Sequence, residues 1–60
     1  MGNRALKRRI ASLRLRIAEH ELKIEQERRS PKPDPGLITH WQVEIEAFHS
    51  SLERALKRLG

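Results

Sequence analysis

The chain has 60 residues, of which 35% are charged, with a formal net charge of +5 and no cysteine. A chain this short forms one domain and buries only about 60% of its unfolded surface, so a monomer would be marginally stable. The lack of cysteine excludes disulfides and thiolate-bound zinc, which leaves self-association as the means of stabilisation. No apolar run approaches the roughly 18 residues of a membrane-spanning helix, and the first residues lack a signal-peptide core. We therefore expect a soluble, cytoplasmic protein without a membrane span.

The first half of the chain predicts a helix over residues 4–29. Its apolar side chains recur at alternating spacings of four and three, which is the a/d pattern of a coiled coil. His20 occupies one d position of this pattern. No glycine or proline interrupts the pattern before Pro31. Asn3 is the predicted N-cap, since its side chain can accept a hydrogen bond from an unpaired backbone N–H.

A proline-rich segment then divides the chain nearly in half. All three prolines lie within residues 31–35, which predicts a turn over residues 30–34. Asp34 followed by Pro35 is typical of an N-cap and the first position of a helix. The second predicted helix runs over residues 35–59, with a second unbroken a/d pattern, and Gly60 is a natural stop.

The two apolar patterns match when the chain folds back on itself. With a turn near residue 32, antiparallel neighbours have residue numbers that add to about 65, and each apolar layer of one helix then meets a layer of the other. This predicts an all-α fold: one domain over residues 1–60, formed by a two-helix antiparallel hairpin that resembles a coiled coil. A proline-rich turn also permits an extended pair that swaps helices between protomers. The predicted hairpin core is Leu6, Ile10, Leu13, Ile17, His20, Ile24, Ile38, Trp41, Ile45, Phe48, Leu52, Ala55 and Leu59.

The first helix carries a second apolar stripe, roughly 140° around the helix from the first at about 100° per residue. A surface helix of a monomeric hairpin should be polar there. The alternative is that the leucines are good helix formers that happen to be exposed. The small alanines between them permit close approach, so we expect an oligomer interface and a homodimeric four-helix bundle or a larger helical oligomer, with the dimer favoured. Its predicted residues are Ala11, Leu15, Ala18 and Leu22.

Positive charge is concentrated at the open end of the predicted hairpin, away from the turn. Such a cluster is typical of proteins that contact the phosphates of DNA or RNA, but it is also compatible with a solvated surface or with pairing to the acidic half of a second hairpin. The candidate nucleic-acid contacts are Arg4, Lys7, Arg8, Arg9, Arg14, Arg16, Arg54, Lys57 and Arg58.

The chain shows no catalytic motif, cofactor-binding loop or metal-ligand spacing, so we expect no enzyme, no cofactor, no metal and no small-molecule substrate. His40 faces Glu25 in the predicted register, which suggests a surface ion pair. His20 in a core position is expected to fix the register of the two helices. If dimerisation brings two copies of His20 together, their contact would be sensitive to pH. The sequence thus predicts a non-catalytic, self-associating hairpin that serves as an assembly or protein-interaction module. The alternative is a small basic nucleic-acid-binding protein.

Overall fold

A computed structural model describes residues 3–60 as two α-helices, α1 over Asn3–Arg28 and α2 over Pro35–Leu59. The helices pack against each other in a rod of 50 × 14 × 12 Å. The predicted all-α hairpin is confirmed, and the described residues contain no strand. The start of α1 differs from the prediction. Asn3 lies inside the helix and is therefore not its N-cap, because an N-cap residue has a non-helical backbone.

The core of the hairpin follows the two predicted apolar patterns. Ile10, Ile17, Leu52 and Ala55 form one cluster with 4–9% of their surfaces accessible, and Ile24 is buried nearer the turn at 8%. Each buried isoleucine or leucine contributes about 1.5–3 kcal/mol. The other eight residues of the predicted core are half-buried. In a hairpin of only two helices, the side chains between the helices are covered by the two backbones but remain partly exposed to water at the edges of the seam. The half-buried residues are Leu6, Leu13, His20, Ile38, Trp41, Ile45, Phe48 and Leu59.

The turn is held by hydrogen bonds from both helices. The Ser30 N–H donates to the Glu27 carbonyl at 3.1 Å. The Glu27 carboxylate accepts a hydrogen bond from the Asp34 N–H at 3.0 Å. This carboxylate therefore connects the end of α1 to the beginning of α2, where the positive end of the helix dipole favours negative charge.

The caps of α2 are those that its sequence predicts. Asp34 has an extended backbone, and its Oδ1 accepts hydrogen bonds from the N–H groups of Gly36 at 2.9 Å and Leu37 at 3.3 Å. Pro35 occupies the first turn, where its missing N–H leaves no hydrogen bond unmade. At the other end, the Gly60 N–H donates to the Leu56 carbonyl at 3.0 Å. These contacts satisfy backbone groups that a helix end leaves unpaired.

Candidate interaction surfaces

The second apolar stripe of α1 faces solvent. Leu15 retains 60% of its accessible surface and Leu22 retains 54%, and Ala11 and Ala18 are also exposed. Hydrogen-bonded helix geometry places these four residues along one line of about 16 Å, since each residue adds about 1.5 Å. None of them belongs to the hairpin core. The hairpin therefore presents an apolar line on the side of α1 that its own second helix does not cover.

Helix α2 also has exposed apolar side chains, but they do not form such a line. Val43 is 59% exposed, while Leu37 and Leu56 are 37% and 38% exposed. At about 100° per residue, Val43 lies opposite the seam, whereas Leu37 and Leu56 flank it on different sides. Scattered exposed leucines and valines are common on protein surfaces. The continuous stripe of α1 is the stronger candidate for an interface.

The positive charges of the open end fall into two groups in the structure. One group lines a cleft of about 360 Å³ between the two helices and contains Arg9 of α1 with Arg54, Lys57 and Arg58 of α2. The other group lies on the outer side of α1 beside Ala11 and contains Arg4, Lys7 and Arg8. The remaining two predicted contacts, Arg14 and Arg16, are exposed and line neither surface. The sequence did not distinguish these groups, because the division depends on which side of the seam each side chain faces.

Glu44 connects two histidines near the middle of the hairpin. Its Oε1 lies 3.3 Å from the Nε2 of His20 and 3.1 Å from the Nε2 of His40. The predicted ion pair of His40 with Glu25 is wrong. His40 contacts the carboxylate one turn along its own helix, and Glu25 pairs with Arg29 at 2.7 Å.

The role of Glu44 was not predicted from the sequence. Its spacing of four from His40 is a signal for a contact within one helix, but the contact with His20 needs the tertiary register. His20 is half-buried, its ring packs edge-on against Phe48 with centroids 5.2 Å apart, and its Nδ1 lies 2.8 Å from the Arg16 carbonyl. Both polar atoms of this core histidine thus have partners, which removes the cost of burying them unpaired.

Trp41 also lies in the seam, and the ammonium of Lys23 lies 6.0 Å from the centre of its ring. A cation at this distance is weakly attracted to the ring face. Trp41 and Phe48 are both half-buried between the helices. Neither ring is therefore free to serve as a platform on which a nucleic-acid base stacks.

Within residues 3–60, no group of three histidine, aspartate or glutamate side chains has an arrangement that could hold a metal ion. Neither α1 nor α2 has a stretch long and apolar enough to cross a lipid bilayer. The two candidate surfaces of this hairpin are the apolar stripe of α1 and the basic cleft of the open end. Comparison of the chain with protein-family models, curated proteins and solved structures gave no match.

Proposed function

We propose that this protein is a non-catalytic, self-associating helical hairpin that serves as an assembly module, and that its first partner is a second copy of the same chain. The observation that carries the proposal is the exposed stripe of α1, in which Leu15 and Leu22 keep more than half of their accessible surface. When a partner covers these leucines, the free energy of the complex falls by about 25 cal/mol per Å² of apolar surface buried.

The small core supports the same proposal. Only five side chains of the described residues are buried, and each still has 4–9% of its surface accessible. A chain of 60 residues without cysteine has no disulfide to compensate for so small a core. Association with a second copy would add a second layer of apolar contacts. We infer that the hairpin needs association with a second copy to be stably folded.

The stripe has a pattern that suits an antiparallel pairing of two α1 helices. If residue numbers across the interface add to about 33, Leu15 faces Ala18 of a second copy and Leu22 faces Ala11 of a second copy. Each large side chain then meets a small one, which permits the helices to approach closely and interdigitate. Two-fold symmetry repeats both contacts. In the resulting four-helix assembly, the two α1 helices lie between the two α2 helices.

Charge is also complementary in this arrangement. Arg14 and Glu21 lie on the same flank of the stripe, seven residues apart along α1. Antiparallel pairing brings Arg14 close to Glu21 of the second copy, and symmetry forms the pair twice. Neither side chain has an ion-pair partner among residues 3–60 of its own chain. Such pairs favour one orientation of the partners more than they add affinity.

The required area sets a further condition. A stable interface buries about 800 Å² on each partner, which is about one sixth of the 4913 Å² accessible surface of the hairpin. A stripe of about 16 Å does not supply this area alone. The flanking side chains of α1, including Arg14 and Glu21, must therefore contribute to the contact.

Sedimentation equilibrium of the purified protein tests the proposal. We expect a dimer at low and high salt for the natural sequence, because apolar contacts are not screened by ions. The double variant Leu15→Glu and Leu22→Glu should sediment as a monomer, since it places two carboxylates in the interface. A lone, well-folded monomer of the natural sequence would overturn the proposal.

The matched control is Val43→Glu combined with Ala47→Glu. These residues are exposed on α2, and the two substitutions make the same change of charge. We expect this control to keep the oligomeric state of the natural sequence, with the helical content of both variants followed by circular dichroism. Dissociation of the control to the same extent would show that added charge, not loss of the stripe, causes the effect.

A further inference from the structure

The cleft at the open end gathers positive charge from both helices. Arg9 of α1 and Arg54, Lys57 and Arg58 of α2 line a cavity of about 360 Å³, together with the Ser51 side chain. No aspartate or glutamate of residues 3–60 lines this cavity. The nearest acidic residue in the sequence, Glu53, is exposed and lies outside the lining. The hairpin therefore holds four cations around one concave surface.

None of these four cations forms an ion pair within the described part of the chain. The ion pairs of residues 3–60 involve only His20, His40 and Arg29 as the basic partners. All four cations of the cleft are exposed to solvent. Like charges placed close together repel each other, and a bound polyanion would remove that repulsion.

We propose that this basic cleft binds the phosphate backbone of a nucleic-acid duplex. Three of its four cations are arginines, whose planar guanidinium groups donate paired hydrogen bonds to phosphate oxygens. The Ser51 hydroxyl can donate to a further phosphate oxygen, as serine side chains commonly do at such interfaces. A duplex carries closely spaced phosphates, so several of them can contact the four cations that the two helices place around the cleft.

The chemistry of the cleft favours a duplex over a single strand. Binding of single strands relies on aromatic rings that stack on the bases. The two rings of Trp and Phe in this chain are Trp41 and Phe48, and both lie in the seam and outside the cleft. The binding is therefore expected to depend on phosphates, with little preference for base sequence.

The lining also argues against a lipid surface. Peripheral helices insert large apolar side chains below the head groups, in addition to their electrostatic attraction. None of the exposed leucines and valines of the hairpin lines the cleft. Its apolar lining consists of Leu6 and Ala55, which are half-buried and buried between the helices. The cleft offers charge without a hydrophobic anchor.

Fluorescence anisotropy with a labelled duplex of about 20 base pairs tests the proposal over a range of salt concentrations. The variant is Arg9→Ala combined with Arg58→Ala. The matched control is Arg28→Ala combined with Lys32→Ala, which removes the same charge near the turn. Loss of two phosphate contacts should weaken binding at least about tenfold and lower the slope of log K against log salt by about two. The control should change the affinity by less than about threefold, as expected for long-range charge alone.

Three results would overturn the proposal: no binding of the duplex at low salt, equal weakening by both double variants, or equally tight binding of poly-glutamate. The last result would show a general affinity for negative charge. Sedimentation of the Arg9→Ala and Arg58→Ala variant should give the oligomeric state of the natural sequence, because the cleft shares no residue with the stripe of α1. Failure of the cleft to bind a duplex therefore leaves self-association as a separate question.

Discussion

Asp34 is the residue on which the beginning of α2 depends. Its Oδ1 accepts hydrogen bonds from two backbone N–H groups, and its own N–H donates to the carboxylate of Glu27. We expect Asp34→Ala to lower the free energy of unfolding by about 1 kcal/mol, because the N–H groups lose their acceptor. Asp34→Asn keeps a good cap and should cost much less. Urea unfolding at one fixed protein concentration measures both, and equal losses would contradict a capping role.

Glu44 is a residue of α2 that contacts a histidine of α1. The Nδ1–H of His20 can donate to the Arg16 carbonyl, at 2.8 Å, while the Nε2 contacts Glu44. A neutral imidazole carries only one N–H, so both contacts are hydrogen bonds only when the ring is protonated. The contact of Glu44 with His20 joins α1 to α2 near the middle of the hairpin.

The substitution Glu44→Gln tests this contact. Glu44→Gln should lower the free energy of unfolding, because glutamine lacks the carboxylate charge that Glu44 places beside His20 and His40. Because Glu44 is partly exposed, the loss should remain below about 1 kcal/mol. Glu46→Gln is the control, since Glu46 has no ion-pair contact among residues 3–60. An equal loss for Glu44→Gln and Glu46→Gln would show that the contacts of Glu44 with the two histidines contribute nothing.

At the scale of the helices, the seam supplies most of the apolar burial. Ile17 has only 7% of its surface accessible and lies in the cluster that joins α1 to α2. We expect Ile17→Ala to destabilise the hairpin by about 2–5 kcal/mol, through lost burial and the cavity that remains. Val43→Ala, at an exposed position of α2, should stay within about 0.5 kcal/mol. Thermal unfolding followed by circular dichroism measures the stability of both variants. Similar losses of stability would show that Ile17 does not belong to the main core.

At the scale of the whole molecule, the proposed dimer makes a prediction about charge. Arg14→Glu alone or Glu21→Arg alone would place like charges opposite each other across the two-fold axis. Each should weaken the dimer by about 1 kcal/mol, or about fivefold in Kd. The double variant reverses both charges and should restore the affinity. A double variant as weak as the sum of the single ones would rule out the antiparallel register.

Three features could be predicted from the sequence: the cap at Asp34, the turn and the two a/d patterns. Each depends on local backbone geometry or on the spacing of apolar residues along the chain. The overall hairpin followed, since two matching apolar patterns joined by a short proline-rich turn have few other ways to cover each other. The register of the prediction was also close, as the contact of His20 with Glu44 joins residues whose numbers add to about 65.

Only the tertiary structure decided which polar groups meet. The contact of Glu27 with the Asp34 N–H, the pairing of Glu44 with two histidines and the separation of Arg9 from Arg8 depend on side-chain direction across a three-dimensional seam. Register alone predicts a pair between His40 and Glu25, whereas His40 contacts Glu44, a carboxylate one turn away on its own helix. Apolar spacing is a property of each helix by itself, but the partners of a charged side chain depend on both helices together.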